Sequence, residues 1–440
     1  MAGKKKEINN VSQELLDFIK MSPSAFHAVA NLKSMLLENG FTELNEEDKW
    51  DLKAGGRYFT TRNDSSVIAF KMPKNDFENF KVVSSHSDSP SFKVKENPEM
   101  LVDGSYLELN VEKYGGMLMA PWFDRPLSIA GRVMVKTKKG IASKLINFDR
   151  NLCMIPNVAI HMNRQANEGY KYSAQKDMIP LLGDESTKDH FNDMVAKEAG
   201  VDEKEILSED LFLYNRMDGT FWGANKEYIS APRLDDLQCA FSSMKAFISA
   251  SDERSVNVCA VFDNEEVGSL TKQGADSTMF YDVLKRISHA AEKDEDDFLR
   301  AVAGSFMLSA DNAHAVHPHH MDKADPTNRP HMNKGIVIKY NANQKYTTDA
   351  VSSAVFKEIL TRAGVPYQIY VNNSDIAGGS TLGNLSNAHV SLNAVDIGLA
   401  QLAMHSPYET AGAKDTEYMI KGIEAFYGTH ITKRGSEYLF

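Results

Sequence analysis

Residues that commonly bind metal ions follow three predicted buried strands. They are His86 and Asp88 after NFKVVSS, Asp263, Glu265 and Glu266 after VCAVF, and Asp311 after FMLSA. Open α/β sheets bind their ligands outside the carboxyl ends of the strands, so side chains far apart in sequence can converge there. Two further candidates are Asp235 in SAPRLDDLQ and His405 in QLAMHSPYE. These residue types and positions indicate a metal site at one edge of a sheet.

Taken singly, most of these residues have an ordinary structural explanation. His86 fits a hydrogen-bonded histidine as well as a ligand whose other ring nitrogen is held by a carboxylate. Asp235 opens a predicted helix, where aspartate is a common N-terminal cap, and His405 alone would more often be a core residue. The pair Glu265 and Glu266 is harder to explain, because adjacent carboxylates at a sheet end repel unless a cation lies beside them. This pair gives the strongest local signal for chemistry.

A histidine-rich segment begins at Asp311. Five of the 13 histidines lie in residues 311–331, and either metal binding or interface packing could account for them. The whole set of candidates contains His, Asp and Glu but no thiolate, which suits a two-zinc hydrolytic site better than a closed structural zinc site. In such a site a carboxylate can bridge two ions about 3.5 to 4 Å apart. Cobalt or manganese could substitute for zinc, because His and carboxylate sites also accept them.

Length and composition exclude several classes of protein. A chain of 440 residues with 42% apolar and 25% charged residues has room for two or three domains and resembles neither a disordered chain nor a coiled coil. Its 60 acidic and 49 basic residues leave a net charge of −11, which disfavours binding to nucleic acid or to an anionic membrane. Three scattered cysteines predict a reducing compartment. Because the sequence also shows no signal peptide or membrane span, we expect a cytoplasmic protein.

The hydrophobic pattern predicts an α/β fold interrupted by a β-rich insert. Helical spacing predicts two helices between residues 11 and 40, and a strand hairpin is predicted to turn at Asn63 and Asp64. The predicted strands that follow Pro232 are 256–262, 305–310, 335–340, 367–371 and 390–396, and the helices between them include 237–249, 281–303 and 350–363. Alternation of this kind is typical of a sandwich around a mostly parallel sheet.

Between these regions, residues 93–230 consist mainly of short alternating runs, which predict a mostly β unit, with a polar loop at 163–204. We therefore predict a catalytic domain in two parts, residues 1–92 and 231–440, separated by the insert.

Eight motifs occur in an order that points to a family. They are SHSDSP, EKYGG followed by WFDRPLSIAGRV, SAPRLDDL, FDNEEVGS, SADNAHAVHP, KGIVIKYNANQKYTT, GGSTLG and MHSPYE. With them the chain resembles the M18 family of metallo-aminopeptidases, the aspartyl aminopeptidases and their bacterial relatives. The resemblance implies a zinc-exopeptidase α/β sandwich with a β-rich dimerisation domain, and dimers that assemble into a tetrahedral dodecamer.

The resemblance also implies roles for the candidate residues. Two zinc ions would be held by His86, Asp235 and Asp311 and by Asp235, Glu266 and His405, with Asp235 as the bridge. Glu265 would be the general base, and Asp88 would support His86. His161, in IPNVAIH, matches a histidine that is associated with the active site of a neighbouring subunit.

Substrate-binding residues are implied by two of the motifs. Lys339 and Tyr346 match residues used by relatives that prefer acidic N-terminal residues. The GGSTLG motif adds Gly379, Ser380 and Thr381. A lysine at the end of a buried strand needs a counter-charge, which either a substrate carboxylate or one of the chain's own acids could supply. Four departures from the family pattern, none at a proposed ligand, are Asn157, Ala324, Asn328 and Asn373.

The main hypothesis is a dinuclear zinc aminopeptidase that removes N-terminal residues, acidic ones in preference, from short peptides with a free amino terminus. One alternative is an aminopeptidase of the same fold that prefers neutral residues such as leucine. Another is an amidohydrolase or deacylase of non-peptide amides, which would not require a free α-amino group. A scaffold protein without catalysis would lack a ligand or the base, and all six candidates are present.

Overall fold

The computed structural model describes residues 2–251 and 254–440. The described residues form ten α-helices: α1 (Ala2–Met21), α2 (Ala25–Glu38), α3 (Ala174–Asp177), α4 (Phe191–Ala199), α5 (Leu234–Ser249), α6 (Met279–Ala290), α7 (Glu295–Ala303), α8 (Ala350–Arg362), α9 (Leu382–His389) and α10 (Asp415–Gly428). The first half of the described chain contains the strands β1 (Thr42–Glu43), β2 (Arg57–Arg62), β3 (Ser66–Lys71), β4 (Asn79–His86), β5 (Ser91–Val102), β6 (Tyr106–Tyr114), β7 (Leu127–Thr137), β8 (Gly140–Asn147), β9 (Leu181–Asp184) and β10 (Ile206–Asn215). The second half contains β11 (Thr220–Trp222), β12 (Tyr228–Ala231), β13 (Ser255–Phe262), β14 (Phe306–Ala310), β15 (Ala313–His314), β16 (Ile336–Tyr340), β17 (Tyr367–Val371), β18 (Asn393–Gly398), β19 (Ala400–Leu402), β20 (Glu409–Gly412), β21 (Thr432–Arg434) and β22 (Glu437–Leu439).

The largest sheet has nine strands in the order β1-β2-β3-β13-β4-β14-β18-β16-β17. Its centre is parallel, because β13, β4, β14 and β18 all pair in the same direction. Antiparallel pairing occurs where β3 meets β13 and where β16 meets β18. Every residue of β4 and β13 is buried, as expected for parallel strands covered on both faces.

Helices cover both faces of this sheet. On one face, α1, α2, α5, α8 and α10 contribute to a core that includes Leu32 and Met244. On the other face, α6, α7 and α9 contribute to a core that includes Val283 and Phe298. The predicted α/β sandwich with a mostly parallel central sheet is therefore confirmed. In the described part of the chain, no helix is both long and apolar enough to cross a membrane.

A second sheet contains only antiparallel pairs, in the order β8-β7-β10-β5-β6-β9. It has a core of its own, with Phe92, Ile129 and Leu211 among its buried residues. The next two strands belong to a third sheet, β11-β12-β20-β19-β15, in which β11 pairs with β12 and β12 pairs with β20. β6 and β20 both border the candidate site described below.

The polar loop predicted at residues 163–204 is partly wrong, since this segment contains α3, β9 and α4. Phe191, Val195 and Ala199 recur every four residues and are buried against the second sheet. The segment with this helical periodicity is short and contains many charged residues, so the sequence pattern did not predict a helix here.

Two further boundaries differ from the prediction. The helix predicted at 281–303 is two helices, because the side chain of Asp294 accepts a hydrogen bond from the Asp297 backbone N–H at 2.9 Å and caps the start of α7. The strand predicted at 390–396 begins at Asn393, because α9 continues to His389.

Candidate metal centre

The carboxyl ends of three adjacent parallel strands lie at the same edge of the central sheet. His86 is the last residue of β4 and is paired in register with Phe262, the last residue of β13. On the other side of β4, β14 ends directly before Asp311. A short 3-10 helix, Glu265–Val267, follows β13. Residues from three distant parts of the sequence therefore meet at this edge.

Asp235 and His405 reach the same edge from other elements. Asp235 lies at the start of α5, and its peptide bond to Asp236 is cis. His405 lies in the loop between β19 and β20. The buried carboxylate of Glu409 accepts hydrogen bonds from the backbone N–H of Asp235 at 2.9 Å and from that of His405 at 2.7 Å. One buried side chain therefore fixes these two residues relative to each other.

The described residues form three groups of potential metal ligands. The first (His86, Asp235, Asp236 and Asp311) and the second (Asp235, Glu266 and His405) share Asp235, and the third is His86, Glu265 and Glu266. In the first group, His86 Nε2 lies 3.5 Å from Asp235 Oδ1 and 4.0 Å from Asp311 Oδ1. In the second, His405 Nε2 lies 3.5 Å from Asp235 Oδ2 and 3.4 Å from Glu266 Oε2. The ligand atoms within each group lie within 4.8 Å of one another. Because each oxygen of Asp235 faces a different histidine, the arrangement has the shape of two cation sites joined by one carboxylate.

Asp88 connects His86 to the loop that carries the adjacent glutamates. Its Oδ1 lies 3.3 Å from His86 Nδ1. The same carboxylate accepts hydrogen bonds from the backbone N–H of Glu265 at 3.1 Å, from that of Glu266 at 3.2 Å, and from the Tyr114 hydroxyl at 2.6 Å. An ionised carboxylate offers about four lone-pair sites and can serve all these partners. Asp88 therefore orients the histidine and the glutamate loop together.

Burial and like charge shift the pKa values of the carboxyl groups. Burial, reinforced by neighbouring carboxylates, raises the pKa of Glu265 to about 8 and that of Glu266 well above its usual range. Burial also raises the pKa of Asp311. It would raise that of Asp235 too, but the two adjacent imidazoles hold it below its usual range. A cation beside these groups would favour their ionised forms.

The donor set fits zinc. Asp235 Oδ1 and Glu266 Oε1 are buried and accept no hydrogen bond from the residues that the structure describes. Because buried polar atoms are normally satisfied, bare acceptor oxygens within a cluster of imidazole and carboxylate groups are expected where a cation binds. Imidazole and carboxylate are the ligands that zinc takes in many hydrolytic sites.

A cavity of about 260 Å³, hereafter the site cavity, opens beside these ligands. Its lining includes the predicted substrate-binding residues Lys339, Tyr346, Gly379, Ser380 and Thr381. Lys339 is 2% exposed, and its Nζ lies 3.4 Å from Asp311 Oδ2 and donates a hydrogen bond to the Asn312 carbonyl at 3.0 Å. Burial would lower the pKa of Lys339, but the charge of Asp311 keeps it above its usual range. Lys339 therefore already has a counter-charge within the protein.

Two predicted features lie apart from the ligand groups. His161 is exposed and does not line the site cavity. Of the five histidines in residues 311–331, His314 lines this cavity. None of the five belongs to a group of potential metal ligands within the described ranges. Metal binding, one of the two explanations offered for this segment, therefore gains no support.

The chain also matches a known family over nearly its whole length. The family model described as aminopeptidase I zinc metalloprotease (M18) covers residues 18–427. The chain belongs to the M18 family. It is thus a metallopeptidase that removes N-terminal residues, as the motifs implied.

Individual M18 relatives extend this match. A probable M18 family aminopeptidase 2 of Clostridium acetobutylicum is 48% identical over 424 residues, which are 94% of this chain and 98% of the relative. A chain in the cryo-EM structure of the Ape4 and Nbr1 complex superimposes with a TM-score of 0.93 at 34% identity, over 96% of this chain and 86% of that one. The structure of the S. cerevisiae mApe1 dodecamer gives a TM-score of 0.84 at 29% identity, over 95% and 96% of the two chains.

Sequence reasoning misses three side chains at this M18 site. Asp236 accepts a hydrogen bond from the His86 backbone N–H at 3.1 Å, Glu409 holds Asp235, and Tyr114 reaches the site from β6 of the second sheet. Glu409 ends the MHSPYE motif and Tyr114 lies within EKYGG. Both residues could therefore have been proposed from the motifs that contain them. For Asp236 the only signal was its position next to a candidate ligand.

Tyr114→Phe is expected to lower kcat about tenfold, because it removes a charge-assisted hydrogen bond to the carboxylate that holds the glutamate loop. Steady-state kinetics on protein of confirmed zinc content measures this. The matched control is Tyr170→Phe, which removes a hydroxyl that contacts Asp177 away from the site. Equal kcat values for the two variants would show that the Tyr114 hydroxyl does not support the glutamate loop.

Proposed function

We propose that the protein is a dinuclear zinc aminopeptidase that removes acidic residues in preference from the amino termini of short peptides. The observation that supports two ions is the pair of ligand groups that share Asp235. In this proposal the ligands of one ion are His86, Asp235 and Asp311, and those of the other are Asp235, Glu266 and His405. When bound, zinc polarises the scissile carbonyl and lowers the pKa of water.

Glu265 is the proposed general base. Its side chain lines the site cavity, and its backbone N–H is held by Asp88. From this position the carboxylate takes a proton from the attacking water and gives it to the leaving amine. Asp88 contributes by orienting Glu265 and His86, since it contacts both.

Glu265→Gln should reduce kcat by about 10² to 10⁴-fold, the usual share of general acid-base catalysis, while keeping two zinc ions per chain. The matched variant Glu266→Gln should instead lower the zinc content by weakening one site. Elemental analysis together with turnover of an aminoacyl substrate separates the two effects. Near-normal turnover by fully loaded Glu265→Gln would reject the role of Glu265.

The preference for acidic residues is supported by Lys339, a buried cation that lines the site cavity together with Tyr346. A substrate carboxylate could form a charge-assisted hydrogen bond with Lys339. The contact between Lys339 and Asp311 favours a second candidate, an M18 aminopeptidase that prefers neutral residues such as leucine. In that case Lys339 serves to neutralise a ligand carboxylate.

Aspartyl and glutamyl substrates are expected to show a higher kcat/KM than leucyl ones, and Lys339→Met should narrow or reverse a gap of roughly 10- to 150-fold. The exposed neighbour Lys345 gives the control variant Lys345→Met. N-acetylated substrates belong in the same assay, since their cleavage would indicate an amidohydrolase or deacylase. A wild-type preference for leucine would instead establish the second candidate.

We further propose a tetrahedral dodecamer built from dimers, with residues 93–230 as the dimerisation domain between catalytic parts 1–92 and 231–440. Support comes from the S. cerevisiae mApe1 dodecamer, whose subunit this chain resembles. It also comes from three exposed apolar side chains around His161: Val158, Ile160 and Met162 are 51%, 50% and 85% exposed. In the assembly His161 would reach the site of a neighbouring subunit.

Co-expression of His161→Ala with Glu265→Gln should restore part of the activity that each variant lacks alone, because a neighbour then supplies the intact residue. The control pairs His161→Ala with a chain that carries both substitutions, where no restoration is expected. Light scattering establishes the mass of each assembly. An active monomer would contradict the role of His161 in a neighbour's site.

A further inference from the structure

Two loops line the site cavity beside the candidate metal centre. The first, hereafter the tyrosine loop, is residues 341–349 and carries Tyr346. The second, hereafter the glycine loop, is residues 373–381, and it ends at Thr381, directly before α9. Neither loop is part of a helix or a strand, so strand pairing does not join them. Their relative position therefore depends on side-chain contacts.

A buried carboxylate behind the site cavity bonds to both loops. Asp396 lies on β18 and is 0% exposed. Its Oδ2 accepts hydrogen bonds from the Thr347 backbone N–H at 2.5 Å and from the Thr347 hydroxyl at 2.6 Å. Its Oδ1 accepts a hydrogen bond from the Thr381 hydroxyl, and its own backbone N–H donates to the Thr348 hydroxyl at 2.9 Å. One residue therefore joins the tyrosine loop to the glycine loop.

The surroundings of Asp396 explain why an acid is kept at this position. Its neighbours on β18, Val395 and Ile397, are apolar and fully buried. A buried carboxylate is costly unless donors satisfy it, and the three donors to its side chain come from the two loops. Asp396 does not itself line the site cavity, so it can affect the cavity only through the loops.

The helix that follows the glycine loop packs closely against Asp396. A Cβ atom at Gly383, in the first turn of α9, would lie 3.2 Å from Asp396 Oδ1 and 2.9 Å from Ser309 Cβ. The first turn of α9 can approach β14 and β18 this closely because residue 383 is glycine. The end of the glycine loop is therefore seated directly beside Asp396.

The tyrosine loop covers the buried lysine of the site cavity. Lys339 Nζ lies 5.4 Å from the centroid of the Tyr346 ring, a distance at which a cation and an aromatic face attract each other. Tyr346 directly precedes Thr347, whose backbone N–H and hydroxyl are bound by Asp396. A displacement of the tyrosine loop would therefore change the cavity wall beside Lys339.

We propose that Asp396 is a positioning residue, which fixes the two loops relative to each other and so sets the shape of the pocket for the substrate's N-terminal residue. The proposal rests on the proposed aminopeptidase function, because that residue must enter the site cavity when the scissile bond lies at the metal centre. Glu265 and the proposed metal ligands lie outside the two loops. Loss of the contacts made by Asp396 should therefore raise KM and leave kcat nearly unchanged.

Three variants separate the hydrogen bonds of Asp396 from its charge. Asp396→Leu removes all three hydrogen bonds to the side chain. Asp396→Asn can keep them, because its Oδ1 can accept from Thr347 while its Nδ2 donates to the Thr381 hydroxyl, which also has lone pairs. Thr347→Val removes one hydroxyl from a residue that does not line the site cavity, and it carries the test if Asp396→Leu does not fold.

The matched control is Ser305→Ala, which lies directly before β14, at the other end of this strand from Asp311. It removes a buried hydroxyl that accepts a hydrogen bond from the Phe80 N–H at 2.8 Å and donates one to the Ala301 carbonyl at 2.6 Å. A loss of stability without an effect on the loops is expected from this variant.

Steady-state kinetics use alanyl, leucyl and aspartyl p-nitroanilides, and each variant is compared on the one that the wild-type protein cleaves fastest. Asp396→Leu should raise KM about tenfold and Thr347→Val about threefold, with kcat close to that of the wild type. Asp396→Asn and Ser305→Ala should keep the wild-type KM. An equal rise in KM for Asp396→Asn and Asp396→Leu, or a fall in kcat at unchanged KM, would overturn the proposal.

Hydrogen exchange followed by mass spectrometry tests the same contacts without turnover. In Thr347→Val the amides of the glycine loop should exchange about threefold faster, although the substitution lies in the other loop. Both loops should exchange faster in Asp396→Leu, and neither should change in Ser305→Ala. If faster exchange in Thr347→Val is confined to the tyrosine loop, Asp396 does not join the loops and the proposal is wrong. Failure of the wild-type protein to cleave any of the three substrates would count against the proposed function, while the exchange rates would still decide the role of Asp396.

Discussion

Repulsion among buried carboxylates is the constraint on which the rest of the site depends. Asp235, Glu266 and Asp311 lie around two imidazoles at one sheet edge, and their side chains are only 3%, 4% and 12% exposed. Taking charges out of water is costly unless each is paired. Lys339 compensates Asp311, and the imidazoles compensate Asp235. Glu266 retains an oxygen without a partner in the described chain, which leaves negative charge at the site for a bound metal ion to balance.

Rigid elements of the fold hold these charged groups close together despite their mutual repulsion. Parallel strands β13, β4 and β14 end at one edge, so their last residues converge without help from long loops. Two further carboxylates hold backbone groups: Glu409 accepts from two N–H groups, and Asp88 accepts from two more. Tyr114 then links Asp88 to the second sheet. The position of that sheet is consequently tied to the geometry of the loop that carries Glu265 and Glu266.

Patterns local in sequence predicted most of the central sheet. Strands such as 256–262 and 305–310 are mostly apolar runs, and the acidic residues directly after them, Asp263 and Asp311, were recognisable as candidates because a charged residue at a buried strand end is unusual. Asp236, Glu409 and Tyr114 were not predicted, because their roles arise from contacts across 150, 174 and 26 residues of sequence. The helix α4 was missed although its pattern is local in sequence. Its apolar residues recur over only about two helical turns and lie among many charged residues, so the hydrophobic periodicity is weak.

Lys339 shows that the type of a residue and its position in the sequence do not by themselves determine its role in the site. At the end of a buried strand it must have an anionic partner, and the sequence left open whether that partner is substrate or protein. The structure supplies Asp311. A site dominated by its own carboxylates repels an anionic substrate unless cations remain that the protein has not neutralised. Selectivity for acidic residues at Lys339 therefore requires that a bound cation take over the charge balance of Asp311.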